Sequence, residues 1–558
     1  MATLVGSASI KGSTETVRMV LLTFATIGIT FTWGIEMTYC TPYLLNLGLT
    51  KSNTSLIWIA GPLSGLVVQP IAGVIADENT SKWGRRRPLM VASAVIVAAS
   101  LLVLGFTREI VALVVADGES ATRPTIFLAV VAIYVVDFAI NVVMSCSRSL
   151  IVDTLPLEMQ QTGAAWASRM SSIGHMIGYA AGSIDLLQIL GTTLGDSQFQ
   201  QLTVIAAIAI LGSTAVTCWA VTEKVLVMPK GAEQSKSIVQ VLRQILSTVR
   251  HLPPRVRAIC WAQFWSWIGW FPFLFYNTTW LGETYFRYDA PPEARQSKDA
   301  LGDMGRIGSA SLFVYSCITF AGAFVLPLLV RSPDEGGFTQ RPPRAIAGFV
   351  KKLNEKKPDL LTTWICGHLL FAAAMSLAPF ARSFRFATFL VCLCGLPWTI
   401  AMWAPSALLG VEVNRLSGGG EGGSAYRRLS DEPGIELPEV GVGASDATVY
   451  LEDPMAGTDA EVASTAELSG IYFGILNIYT TLPQFCGTFI ATIVFSLLEP
   501  GKSPELSGDG SADKGTETSG PNAIAVCLFI GAMSTVVAAF ATHKLRAGSG
   551  KGAFRILG

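Results

Sequence analysis

Apolar residues in this chain of 558 gather into long runs separated by short polar breaks. Runs near or above the roughly 20 apolar residues that cross a bilayer as a helix fall at about 18–46, 54–76, 88–106, 125–150, 163–190, 202–222, 258–282, 306–330, 360–380, 386–411, 468–498 and 522–542. The pattern predicts an all-α membrane protein with twelve transmembrane helices. Six runs precede the polar stretch 223–257 and six follow it. That is the layout of two six-helix bundles related by a pseudo-twofold axis. The expected units are an N-terminal bundle over 1–222, a central cytoplasmic loop over 223–257, a C-terminal bundle over 258–543 and a cytoplasmic tail over 544–558. The C-terminal bundle is interrupted at 412–467 by a Gly/Ser/Glu-rich stretch that reads as a flexible cytoplasmic insertion.

Composition narrows the class. Hydrophobic residues make up 51% of the chain and charged residues only 14%, against about 25% charged in soluble proteins. Disorder is excluded, and a soluble enzyme is not expected. The 40 basic and 40 acidic residues cancel, so there is no basic excess for a nucleic-acid partner. Position matters more than the sum. With the N-terminus placed in the cytoplasm, the inside segments hold about 26 Lys and Arg and the outside ones about 11. That bias predicts that both termini are cytoplasmic. The first apolar run is too long for a signal-peptide core, so no cleavable leader is expected. The ten Cys all lie in apolar runs without zinc-ligand spacing, and they read as packing residues. No metal site and no cofactor are expected.

A charge at mid-span is costly unless it is paired or faces a polar cavity, which makes it a functional candidate. The fourth run carries Asp137 near its middle, Asn141 one turn further on the same face, and Arg148 eleven residues on from Asp137. Eleven helical steps return to nearly the same angle after a rise of roughly 16 Å. Asp153 follows just beyond. The fifth run adds Arg169 and His175, and Glu36 sits in the outer half of the first, where Trp33-Gly34 suggests a bend. A carboxylate in a low-dielectric cavity can bind and release a proton near neutral pH and can accept hydrogen bonds from a polyol. The other reading of Asp137 is a buried ion pair with Arg148 or Arg169. Arg148 and Arg169 could equally latch a cytoplasmic gate to Asp153.

The seventh run is aromatic throughout, from Trp261 to Tyr276, with Gln263, Asn277 and Thr279 interleaved. Such faces stack on the CH faces of sugar rings. Gln263, Trp267 and Asn277 join Glu36 and Asn141 as candidate sugar contacts.

The loop after the second run has Asp77 and then Gly84-Arg85-Arg86-Arg87-Pro88. It resembles the signature between spans two and three of major facilitator transporters, where these residues lie at the cytoplasmic gate. Gly61-Pro62-Leu63-Ser64-Gly65, Asp137-Phe138 with Arg148-Ser149-Leu150-Ile151-Val152-Asp153, Trp267-Ile268-Gly269-Trp270-Phe271-Pro272-Phe273 and Gly395-Leu396-Pro397-Trp398 resemble plant sucrose–proton symporters. These belong to a branch of the glycoside–pentoside–hexuronide:cation symporters. The resemblance implies that Asp137 is the proton and sugar site and that Arg148 is needed for transport. Three features depart from the plant pattern: Lys51 stands where the plant proteins carry His, the seventh run ends in Asn277-Thr278-Thr279, and residues 412–467 are inserted. Together with Glu36 they suggest a fungal-type member.

The expectation is a proton-coupled importer of sucrose or another α-glucoside such as maltose, working by alternating access. It is expected to be monomeric in the lipid bilayer of the plasma membrane, with a vacuolar or other secretory-pathway membrane as the alternative. A membrane sugar sensor signalling through 412–467 and a proton-coupled monosaccharide carrier are the other functions considered.

Overall fold

A computed structural model describes residues 3–77, 79–115, 119–156, 159–227, 250, 252–291, 300–330, 357–416, 454–499 and 522–553. The helices of the N-terminal half are α1 (Glu15–Thr23), α2 (Ala25–Ile35), α3 (Thr41–Asn46), α4 (Lys51–Ile57), α5 (Ala60–Asp77), α6 (Arg87–Gly105), α7 (Thr107–Ala112), α8 (Glu119–Thr154), α9 (Gln160–Ser183), α10 (Leu186–Leu190) and α11 (Gln198–Ala220). Those of the C-terminal half are α12 (Pro254–Thr284), α13 (Ala300–Leu329), α14 (Leu360–Ser376), α15 (Phe384–Leu393), α16 (Gly395–Leu416), α17 (Pro454–Leu498) and α18 (Ala523–Ala553).

Among the described residues, nine helices or joined helices are long and apolar enough to cross a membrane, ten with the bent pair Glu15–Thr23 and Ala25–Asn46. The two remaining runs of the sequence pattern form α9 and α12. Both are long helices. Their hydropathy is lowered by Arg169, His175 and serines in α9, and by tryptophans, prolines and amides in α12. They are therefore the helices whose composition fits a polar interior better than lipid. The fold is the expected twelve-helix membrane architecture.

In the N-terminal half α8 packs against α5 and α6, and α2 against α9 and α11. In the C-terminal half α12 and α14 both pack on α18, and α17 lies along α12. The halves meet where α9 runs along α13 and α4 along α17. A continuous apolar core runs through both halves.

The first span bends by 42° between α1 and α2, near Phe24, rather than after Gly34. It then loosens into a π-helical turn over Glu36–Cys40 before α3, a distortion often found at functional sites. At its start, β1 (Thr3–Val5) and β2 (Ser9–Ile10) pair antiparallel with β4 (Val225–Val227) and β3 (Val221–Thr222). This ribbon ties the N-terminus to the chain leaving α11.

Helix α17 begins at Pro454, so the insertion expected over 412–467 is helical in its last fourteen residues, as an extension of the eleventh span. Its centre, 417–453, lies outside the described residues, as does 228–249 of the central loop.

Candidate functional site

The ribbon just described places one carboxylate. Glu223, between β3 and β4, accepts the backbone N–H groups of Arg85 (2.7 Å), Arg86 (2.9 Å) and Arg87 (2.9 Å). An anion set against the first N–H groups of α6 satisfies orphan donors and complements the helix dipole. Gly84, at φ +121°, makes this approach possible: a Cβ there would lie 2.8 Å from Cδ of Glu223.

Arg85 Nη2 and Arg86 Nε then reach Asp153 Oδ2 at 2.9 and 3.0 Å. Asp153 therefore serves the loop arginines and not Arg148 or Arg169 as the sequence reading had allowed. Arg169 instead lies over the rings of Trp166 (4.8 Å) and Phe324 (5.0 Å), the latter across the seam on α13. The side chain of Asp77 lies outside the described residues.

Deep in the N-terminal half, the π turn of the first span brings the buried Glu36 within Coulomb range of the buried Asp137 on α8. Glu36 Oε1 and Asp137 Oδ2 have no hydrogen-bond partner. No cation pairs with either among the described residues, so the ion pair of Asp137 with Arg148 or Arg169 is not formed. Two buried carboxyl groups without a counter-charge are costly as anions. The pair is therefore built to take a proton, a cation or hydroxyl donors.

Asn141 is engaged elsewhere. Its Nδ2 donates to Ser64 Oγ (2.8 Å) and to the Asp137 carbonyl (2.9 Å), and its Oδ1 accepts from Gln69 Nε2 (2.9 Å). It ties α8 to α5 below the carboxylates. Arg148 is exposed to solvent. It has no ion-pair partner among the described residues.

Across the seam, Gln263 on α12 is buried with Oε1 unpartnered. Trp267 is half-buried and meets Trp398 edge-on at 6.1 Å, and Trp398 in turn meets Trp270 at 5.0 Å. Asn277 is buried higher on α12, its Oδ1 accepting from Thr278 Oγ1 (3.0 Å). It stands close to Phe275, whose carbonyl accepts from Thr41 Oγ1 (3.3 Å), and so belongs to the layer where the halves are sealed. Tyr315, Trp364 and His368 are not among the candidates that the sequence pattern offers. All three are buried, with Tyr315 Oη, Trp364 Nε1 and His368 Nε2 unpartnered. Unsatisfied buried polar groups were the signal, and burial cannot be read from one sequence.

At the end of the bundle opposite the termini, Lys51 of α4 enters the C-terminal half. It contacts Glu283 at the end of α12 and Glu499 just past α17. Asn522 Nδ2 donates to Glu283 (2.8 Å), and Arg287 reaches Glu499 (3.4 Å). Burial alone would raise the Glu499 carboxyl, but Lys51, the Ala523 N–H and Arg287 outweigh it and hold it below its usual range. Ser52 with Ser496 (2.7 Å), Ser55 with Thr492 (2.9 Å) and Arg306 with Asp185 (3.3 Å) bridge the same end. At the terminal end, by contrast, the Arg85–Asp153, Arg87–Glu223 and Arg255–Glu412 pairs each stay within one half.

Residues 22–290 match the family described as MFS/sugar transport protein. One relative aligns over nearly all of this chain. The general alpha-glucoside permease of Schizosaccharomyces pombe is 29% identical over 588 aligned positions, covering 96% of this chain and 94% of that one. The chain is similar to MFS sugar transporters along nearly its whole length. It is also similar to the sucrose transport protein SUC4 of Arabidopsis thaliana, at 31% identity over 54% of this chain and 62% of that protein. Among solved structures it resembles the nucleoside transporter NupG, with a TM-score of 0.53 at 12% identity over 94% of this chain and 99% of that one. It also resembles a structure described under substrate recognition in proton dependent oligopeptide transporters, with a TM-score of 0.52 at 10% identity over 95% and 98%. These two likenesses concern the fold alone. The protein is thus a multi-pass membrane sugar transporter and not an enzyme.

Proposed function

We propose that this chain carries an α-glucoside, sucrose or maltose, into the cytoplasm together with a proton, by alternating access. One observation carries the coupling: the buried carboxyl groups of Glu36 and Asp137, within Coulomb range of each other, each with an unpartnered oxygen and with no cation paired to either among the described residues. A proton on this pair removes the cost of a buried anion. The same oxygens accept sugar hydroxyls. The names of the relatives favour an α-glucoside over a monosaccharide. The sugar lies between the halves, with Glu36 and Asp137 on one side and Gln263, Trp267 and Trp398 on the other. Stacking on the tryptophans and hydrogen bonds to the amide fix the ring.

The closed layer around Lys51 supports the reading of an inward-facing state in which Arg148 lines the exit. Its positive charge, roughly 16 Å along α8 from Asp137, favours loss of the proton toward the cytoplasm. Cytoplasmic termini and a plasma-membrane location complete the reading, with the chain acting as a monomer.

The test is uptake by cells expressing the full chain, with sucrose, maltose, glucose and galactose compared with and without an inward pH gradient. Sucrose or maltose should accumulate with proton uptake, and Asp137→Asn should abolish accumulation. Wild-type coupled uptake in Asp137→Asn would overturn the coupling role. A glucose-only profile would overturn the α-glucoside.

A further inference from the structure

On the lipid-facing side of the C-terminal half, α12 and α18 enclose a groove of about 360 Å³ near the terminal end. The two helices cross where Gly269 and Gly531 bring their backbones together, and Ser534 Oγ donates to the Trp265 carbonyl (2.7 Å). From that crossing the antiparallel helices diverge. Arg257, Trp261 and Trp265 share one face of α12 at four-residue spacing, and Val537, Phe540 and Lys544 share the facing stripe of α18.

The walls are apolar and open outward, Phe540 being 68% exposed and Trp261 44%. Trp261 is held edge-on against Tyr479 at 5.8 Å, so the groove is preformed. Its rim is basic. Neighbouring cations are already matched, Arg255 to Glu412 (3.3 Å) and Arg546 to Asp359 (3.7 Å). Arg257 and Lys544 have no carboxylate within ion-pair distance among the described residues, and no Asp or Glu lines the groove. Arg257 lies twelve residues from Gly269 and Lys544 thirteen from Gly531, roughly 18–20 Å along each helix. If the crossing is taken as the bilayer centre, both cations stand just beyond the hydrocarbon boundary at about 15 Å, at headgroup depth.

We propose that this groove binds an anionic glycerophospholipid. The phosphate and acidic headgroup sit between Arg257 and Lys544, and an acyl chain lies along Trp261, Trp265, Val537 and Phe540. Two cations above an apolar slot favour a net-anionic headgroup over a zwitterionic one. A cytoplasmic position of this rim, where anionic lipids concentrate, rests on the orientation proposed above. Binding itself does not, nor does it depend on which sugar is carried.

The experiment uses the purified full chain in detergent, stripped of lipid and mixed with equal phosphatidylserine and phosphatidylcholine. Retained lipid is counted by native mass spectrometry. The wild type should retain phosphatidylserine roughly tenfold over phosphatidylcholine and gain thermal stability from it. The double variant R257Q/K544Q should lose both effects. Arg382→Gln, an exposed cation at the opposite end, should keep them. Each single variant, checked for a monodisperse elution profile, should show an intermediate preference, which separates lost binding from lost folding. Equal retention of the two lipids by the wild type would overturn the proposal, as would an unchanged preference in the double variant. Full displacement by water-soluble glycerophosphoserine at equal concentration would do so too, since the slot would then contribute nothing.

Discussion

Lys51 Nζ lies 2.5 Å from Glu283 Oε1, and both side chains are withdrawn from solvent. One cation of the N-terminal half is thereby fixed to the end of α12 in the other half. In an outward-open state these groups would separate and hydrate. Removing one partner of a buried pair costs roughly 3–5 kcal/mol, and here that cost falls on the closed state alone. Lys51→Met should therefore shift the protein toward opening on this side. The readout is labelling of a Ser55→Cys thiol by an impermeant maleimide, in a background with the exposed Cys366 and Cys486 replaced. Labelling should rise at least tenfold. An unchanged rate would remove Lys51 from the closure.

The same cluster should respond to acid through Glu499. Lys51, the Ala523 N–H and Arg287 hold its carboxyl below the usual range in the closed state. A carboxylate depressed in this way contributes fully above its ordinary value of about 4.3 and is lost as pH falls through the lowered one. Outer closure should thus be steady from neutral pH to about pH 4.5 and weaken below it. In Glu499→Gln the acid-dependent part of the same thiol labelling should disappear. If wild type and variant follow one pH curve, another group controls closure.

Asn141 separates a structural role from a binding one. Its three hydrogen bonds join Ser64, Gln69 and the Asp137 carbonyl. Asn141→Ala leaves the Gln69 amide without this partner, at a cost of about 1–3 kcal/mol. The melting temperature of the sugar-free protein should fall by several degrees. Lost sugar binding with an unchanged melting temperature would return Asn141 to the ligand set.

The span pattern and the intramembrane charges were legible because lipid permits few of either. Asp137, Glu36 and Gln263 could be singled out from position alone. What could not be read was pairing. Asp153 lies near Arg148 in sequence but bonds to Arg85 and Arg86, because Glu223 and the N-terminal ribbon fix the turn at Gly84. Lys51, Glu283 and Glu499 each stand at the edge of an apolar run, where a charge looks like an ordinary boundary. Their meeting depends on how the halves pack, which no local spacing encodes. The same holds for Asn141, whose place on the Asp137 face does not reveal that Ser64 and Gln69 of α5 bond to it.

The α12–α18 crossing gives a last test, on packing. A Cβ on Gly269 would stand 2.6 Å from both the Gly531 carbonyl oxygen and Thr535 Cγ2. One obstacle is backbone, so it cannot swing aside, and the helices would have to part. Overpacking of this kind costs typically about 1–3 kcal/mol, and small residues at membrane helix contacts are there to allow close approach. Gly269→Ala should lower the melting temperature of the purified protein, and Gly269→Val should lower it further. Gly65, with nothing within 4 Å of its added Cβ, is the control, and Gly65→Ala should leave stability nearly unchanged. Equal effects at the two positions would show that the loss reflects glycine in general and not this crossing.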